Sequence, residues 1–246
     1  MNGAILITGS ARRLGAAMAR AIVAAGIKVV LHARTPTDEI HRLATELDMP
    51  MVFGDLAAPG VAAQMIADAV ARSGPLAGLI NNASRFEYDN PTSVTPEALN
   101  AHMLPNLVAP VLLTKYFAEA LTLESGVVIN ILDQKLSNLN PDFFSYTLSK
   151  AALAAATEMF AIALAPKIRV CGIAPGLTMI SSMQTPERFE VAWRANPLQR
   201  GATPEDIARA ALLILQTPSM TGITITVDGG EHLMRRSRDI GFLGQS

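Results

Sequence analysis

The apolar residues of this chain follow two rhythms. Short unbroken runs recur as AILIT at 4–8, KVVLH at 28–32, PMVF at 50–53, GLIN at 78–81, GVVINIL at 126–132, IRVCGIA at 168–174 and GITITV at 222–227. Between them lie longer stretches, RRLGAAMARAIVAAG at 12–26 and APGVAAQMIADAVARSG at 58–74 among them, whose apolar residues fall at i, i+3, i+4 and i+7. An unbroken apolar run suits a strand buried on both faces, and the second spacing gives a helix one apolar stripe. Strand alternating with helix predicts a parallel sheet covered on both sides, a doubly wound α/β domain spanning 1–246, whose ligands bind at the carboxyl ends of the strands.

Helix ends are marked by chemistry. Gly26 and Gly74 follow helical stretches, and Thr95-Pro96-Glu97 and Thr203-Pro204-Glu205 each set a capping hydroxyl before a proline at the first helical position. Pro105 and Pro110 fall inside the stretch 96–123, which predicts an interrupted or bent helix near Asn106. Residues 176–200 are the least regular long piece and the expected substrate lid, with Met179, Met183 and Trp193 placed either to line a pocket or simply to pack.

Length and composition add limits. The 246 residues could make one large domain or two small ones, but no repeat, linker or low-complexity tract marks a boundary. With half the residues hydrophobic, 17% charged and a net charge of −1, the chain reads as compact and carries no footprint for nucleic acid or an anionic membrane. The one cysteine, Cys171, sits in an apolar run and excludes an internal disulfide. No apolar run approaches membrane-spanning length and the start lacks signal-peptide features, so a cytoplasmic protein is expected. His32, His41, His102 and His232 show no ligand spacing, and no metal is expected. The basic tail from Arg235 to Ser246 reads either as an arm or as a frayed end.

The first strand runs into Thr8-Gly9-Ser10-Ala11-Arg12-Arg13-Leu14-Gly15 and then a helix. A glycine turn at a helix N-terminus gathers backbone N–H groups around one point, which suits a pyrophosphate, although an ordinary turn can look the same. Arg13 stands where such loops often have glycine and brings a positive charge near the phosphates. After the second strand the chain reads His32-Ala33-Arg34-Thr35, with no acid to grip a ribose 2′-hydroxyl. A guanidinium beside a hydroxyl suits a 2′-phosphate and favours NADPH over NADH; a solvated surface arginine is the competing reading. Asp55 suits an adenine amino group or a plain loop.

Tyr146 and Lys150 lie four apart in a helical stretch and share a face. An ammonium beside a phenol favours the phenolate and should lower the tyrosine pKa from about 10, readying it for proton transfer. Other short motifs accompany them in order: NNAS at 81–84, Asn106, APG at 174–176 and VDGG at 227–230.

With TGSARRLG, NNAS, Asn106, YTLSK, APG and VDGG at matching spacing over essentially its whole length, the chain resembles the short-chain dehydrogenase/reductase family. The resemblance implies a Rossmann-type sheet of seven strands, a nicotinamide cofactor, hydride transfer and a homotetramer. It makes Tyr146 the catalytic acid, Lys150 its tuning partner and ribose anchor, and Asn106 a support for the water of a proton relay. Cofactor contacts are implied for Gly9, Arg13, Leu14, Gly15, Arg34, Thr35, Asp55, Leu56, Asn82, Ala83, Tyr146, Lys150, Pro175 and Gly176.

One position departs from that pattern. Ketone reductases of the family carry a serine about 13 residues before the tyrosine; here positions 132–134 are Leu132, Asp133 and Gln134. An ionised carboxylate about 4 Å from a developing alkoxide repels it by about 4 kcal/mol at an effective dielectric of about 20, roughly three powers of ten in rate. A carboxylate does suit a flat ring bearing N–H groups, or a C=N bond that must receive a proton. The alternative is that Asp133 is a loop residue and Ser137, nine positions before Tyr146, supplies the hydroxyl. Asp133, Arg13 and the aromatic Phe86 after NNAS together resemble the pteridine and dihydromonapterin reductase branch, as does VDGGEHL at 227–233. That branch implies a reduced-pterin substrate held by Arg13, Ser84, Phe86, Asp133 and Tyr146, with Phe86 stacking the ring. An NADPH-dependent dihydropterin reductase, extending to dihydrofolate, is the leading expectation. A carbonyl or polyol oxidoreductase with Asp133 held protonated comes second, and a non-catalytic NADP(H) sensor third.

Overall fold

A computed structural model describes residues 2–180 and 184–243. Seven parallel strands form one sheet in the order β3-β2-β1-β4-β5-β6-β7. They are β1 Ala4–Ile7, β2 Val29–Ala33, β3 Met51–Phe53, β4 Leu76–Asn81, β5 Gly126–Ile131, β6 Ile168–Pro175 and β7 Thr224–Val227. Each matches one of the apolar runs to within a few residues. The chain builds outward from β1 in one direction, then returns to place β4 on its other side. The crevice at that reversal, beyond the carboxyl ends of β1 and β4, is where such sheets bind ligands.

Side-chain alternation divides the core in two. Ile5 and Ile7 of β1 face a layer made by α1 (Arg13–Ala24), α2 (Asp38–Leu47) and α8 (Pro204–Gln216). Ala4 and Leu6 face the opposite layer, of α3 (Val61–Ser73), α5 (Ala109–Ala120) and α6 (Phe144–Ala163). Each fully buried Ile, Leu or Phe in these layers contributes about 1.5–3 kcal/mol. Cys171 is buried among them.

The capping signals are realised. Thr95 accepts from the Ala98 N–H at the start of α4 (Pro96–Met103), and Thr203 and Asp206 form a reciprocal capping box on α8. The interruption expected near Asn106 takes the form of a π turn: Leu104–Val108 widens between α4 and α5, and the helix continues from it. That bulge turns Asn106 inward, where it is 1% exposed. A polar relay ties the sheet to α6, with Asn81 donating to Asn130 and Asn130 to Thr157, at 2.8 and 2.9 Å. Among the described residues of 176–200, regular structure is confined to α7, Pro186–Arg194.

Candidate active site

A cavity of about 910 Å³ opens at the carboxyl ends of the strands. Every residue assigned above to cofactor or substrate lines it, from Gly9 and Arg13 through Arg34, Asp55, Ser84 and Phe86 to Asp133, Tyr146, Lys150 and Gly176. Asn106 does not. Its side chain instead accepts from the Arg85 N–H (2.8 Å) and Ser84 hydroxyl, and donates to the Arg85 carbonyl and Ser149 (3.0 Å). Asn106 therefore braces the strand-end loop against α6, and its side chain has no free group to hold a relay water.

At the cofactor end, Gly9 takes φ +63 and Arg13 φ +55, so the turn is left-handed at both. A Cβ on Gly15 would lie 2.3 Å from the Gly9 carbonyl oxygen, so only glycine lets α1 start this close to the loop. His32 fastens the turn: its Nδ1 accepts from the Gly9 N–H at 3.0 Å and its Nε2 faces the Gly54 carbonyl at 3.0 Å. Burial lowers its pKa, which keeps the ring neutral as that acceptor role requires. Asn82 closes the other side, donating to the Thr8 and Gly9 carbonyls, while the Asn82 and Ala83 N–H groups donate to the Thr8 hydroxyl. This strand end thus shapes the loop with groups the sequence assigned to the cofactor. Arg34 and Thr35 stand exposed at the end of β2, and Asp55 accepts from the Ala57 N–H within its own turn. The Arg13 guanidinium donates to the Ile180 carbonyl at 2.9 Å, linking the phosphate loop to the 176–200 segment.

At the other end, Asp133 caps a 3₁₀ turn, Gln134–Ser137. One carboxylate oxygen accepts from the Lys135 N–H at 2.8 Å and the other from the Tyr146 hydroxyl at 2.7 Å. Ser137 lies outside the cavity lining, so the alternative donor for the reacting group is not there. Burial raises the Asp133 pKa against the pull of those two hydrogen bonds. Burial, then the Asp133 charge and hydrogen bond, push Tyr146 well above 10. Burial lowers Lys150 to about 8.

The expectation that Lys150 lowers the tyrosine pKa is not met: the Tyr146 pKa is raised instead. The ammonium donates to the Ile131 carbonyl at 2.7 Å and stands 5.8 Å from the Tyr146 ring centre, whereas the aspartate touches the hydroxyl. The contact wins over the more distant charge, and Tyr146 is a neutral donor.

Phe86 is 45% exposed, stacked on Phe143 at 4.2 Å between centroids and edge-on to Tyr146 at 4.7 Å. One face is thus committed to packing. Phe143 holds φ +54 directly before α6, a left-handed backbone uncommon for an aromatic residue. Trp193 does not line the cavity: its Nε1 donates to the Ala202 carbonyl and it packs on Gly201. Met179 does line it, and Met183 lies outside the described residues.

The tail, through residue 243, neither frays nor extends away. Arg238 pairs with Asp142 at 2.7 Å, Asp239 with Lys135 at 2.7 Å, and Phe242 packs edge-on to Tyr88. Asp239 and Ile240 join Gln134, Lys135 and Glu231 in the cavity wall. Sequence reasoning missed these five, because only folding brings residues a hundred positions apart together. Burial raises Glu231 to about 7. Among the described residues no group of His, Cys, Asp and Glu could hold a metal ion, and no helix is long and apolar enough to cross a membrane.

A family model described as enoyl-(acyl carrier protein) reductase matches residues 9–232. An uncharacterized oxidoreductase of Mycobacterium tuberculosis is 34% identical over 92% of this chain and 90% of its own length. The L-xylulose reductase of Mesocricetus auratus is 31% identical, over 92% and 94%. Among solved structures, FolM alternative dihydrofolate reductase 1 from Brucella suis, in complex with NADP, superposes with a TM-score of 0.91 at 38% identity, over 96% of this chain and 97% of that one. The Brucella canis protein, also complexed with NADP, gives 0.90 at 37%, over 97% and 98%.

Proposed function

The chain belongs to the short-chain dehydrogenase/reductase family, and from that premise we propose that it is an NADPH-dependent reductase of dihydropterins of the dihydromonapterin or dihydrobiopterin type, with dihydrofolate a further substrate. The observation that carries the reading is Asp133 in the cavity wall, touching Tyr146, where a ketone reductase needs a hydroxyl donor. A carboxylate there accepts hydrogen bonds from ring N–H and amino groups, which ketones lack. The likeness to two alternative dihydrofolate reductases supports the same substrate class.

The cavity fits a nicotinamide dinucleotide. Gly15 leaves no room for a side chain at the loop, and Arg34 at the end of β2 suits a 2′-phosphate. When bound, the nicotinamide supplies the hydride for a ring C=N bond. The chain's own residues manage position and protons. Tyr146, which donates to Asp133 at 2.7 Å, would pass a proton to the reacting bond, with Asp133 as its partner. Phe86 offers its outer face to a flat ring, worth about 0.5–1.5 kcal/mol beyond area burial. Ser84 and Arg13 line the same space, and Gly176–Met179 form the base of the proposed lid, 176–200. The reading includes a cytoplasmic homotetramer acting on a small molecule, without nucleic acid or membrane.

A second reading has one observation in its favour. Burial raises the Asp133 pKa, and a protonated carboxyl could donate to a carbonyl oxygen. This would make the protein a carbonyl or polyol oxidoreductase. Following NADPH absorbance with dihydropterins, dihydrofolate, ketones and sugars separates the two. Turnover of dihydropterins at least tenfold above any ketone is expected; the reverse ranking sinks the pterin assignment. Tight NADPH binding with no turnover would instead leave a cofactor sensor.

A further inference from the structure

The turn that presents Asp133 is fastened to the far end of the chain. Each of three polar residues following Asp133 is tied to the C-terminal region. Gln134 donates to Glu231 at 2.8 Å, Lys135 pairs with Asp239 at 2.7 Å, and Asn138 donates to the Met234 carbonyl and accepts from the Arg236 N–H. Lys135 and Glu231 are each 4% exposed. The second Glu231 oxygen accepts from the Leu177 N–H, the first residue past the Pro175-Gly176 turn.

We infer that the segment from Glu231 to Asp239 is a positioning element of the active site, setting where the Asp133 carboxylate stands against Tyr146. The inference rests on reading Asp133 as the group that meets substrate. The Asp133 side chain is held by the Lys135 N–H, so the place of the Lys135 backbone decides the place of the carboxylate. That backbone is held in turn by a buried ammonium. Without Asp239 the ammonium would keep only Asn140 as a side-chain hydrogen-bond partner, and a buried charge stripped of its counter-ion moves toward water. Glu231 acts the same way on Gln134, whose Oε1 has no hydrogen-bond partner among the described residues and whose Nε2 donates to Glu231. Removing Glu231 would leave the buried amide without that bond and would also free the Leu177 N–H, so the turn and the lid base would shift together. Asp133, Asp239 and Asp228 are the charged groups that face Glu231.

The test uses full-length Asp239→Ala, Glu231→Gln and the conservative Asp239→Glu, assayed for dihydropterin kcat, KM, NADPH Kd and Tm. Asp239→Ala and Glu231→Gln should lower kcat at least fivefold with NADPH Kd within twofold of wild type, and Asp239→Glu should recover most of the loss. Unchanged kcat in both variants overturns the inference, as do parallel losses of kcat and NADPH affinity, which mark a general structural role. If the wild type turns over no dihydropterin, the substrate assignment fails separately. The inference is then decided by a crystal structure of Asp239→Ala, where an unmoved Asp133–Tyr146 contact refutes it.

Discussion

The Asp133 carboxylate accepts a 2.7 Å hydrogen bond from the Tyr146 hydroxyl, one helical turn before Lys150. Asp133 is therefore the nearest charged partner of the phenol. Replacing it with serine removes both the acceptor for a ring N–H and the group that shares the tyrosine proton. Dihydropterin turnover by Asp133→Ser should fall at least about tenfold, a conservative bound against the roughly hundredfold or more that general acid–base catalysis typically contributes. Unchanged steady-state kinetics would refute the assigned role.

Asp133→Asn makes a second point about the same pair. The Asp133 charge and hydrogen bond act with burial to raise the Tyr146 pKa. Removing the charge should lower the phenol's ionisation midpoint, read as the tyrosinate absorbance that appears on alkaline titration. A midpoint that stays put or rises contradicts the electrostatic account.

The pH behaviour of Lys150 has a definite sign. Burial depresses its pKa from 10.5 to about 8. A lysine depressed on folding contributes stability above its unfolded pKa, and this is lost as pH falls through about 8. The Tm difference between Lys150→Met and wild type should therefore favour the variant more at pH 7 than at pH 10. The ammonium is also lost from the free protein as pH rises past about 8, so wild-type NADPH affinity should weaken across that range and the variant's should not.

Glu231 runs the opposite way. Its pKa is raised from 4.5 to about 7, so its contribution to stability is full below 4.5 and is lost as pH rises through about 7. Wild type should lose Tm over that interval relative to Glu231→Gln. Parallel Tm profiles would show that the carboxyl does not titrate there.

Arg34 is the charge expected to choose the cofactor. Charge-assisted hydrogen bonds contribute about 1.5–3 kcal/mol, so Arg34→Ala should weaken NADPH binding about tenfold or more and leave NADH within twofold. Fluorescence titration of both cofactors measures the ratio, and equal losses would place the arginine outside the 2′-phosphate site.

The seven strands, their parallel arrangement, the two proline-led caps and a part of the cavity lining, from Gly9 and Arg13 to Asp133, Tyr146 and Lys150, were legible in the sequence. Those features depend on local causes: runs of apolar residues, a hydroxyl before a proline, glycine at a helix start. Tyr146 and Lys150 were legible for the same reason, since four positions along a helix put two side chains on one face. Folding alone decided the rest. The interruption near Asn106 was legible, but its form, a π turn that buries Asn106 against Ser84, Arg85 and Ser149, depended on those distant partners. The direction of the Tyr146 shift depended on whether Asp133 or Lys150 touched the hydroxyl, a matter of ångströms that spacing cannot express. Glu231 and Asp239 joined the cavity wall through partners about a hundred residues away, Gln134 and Lys135. Such contacts are set by how the tail packs across the sheet's carboxyl edge, and that packing has no period along the chain from which to read it.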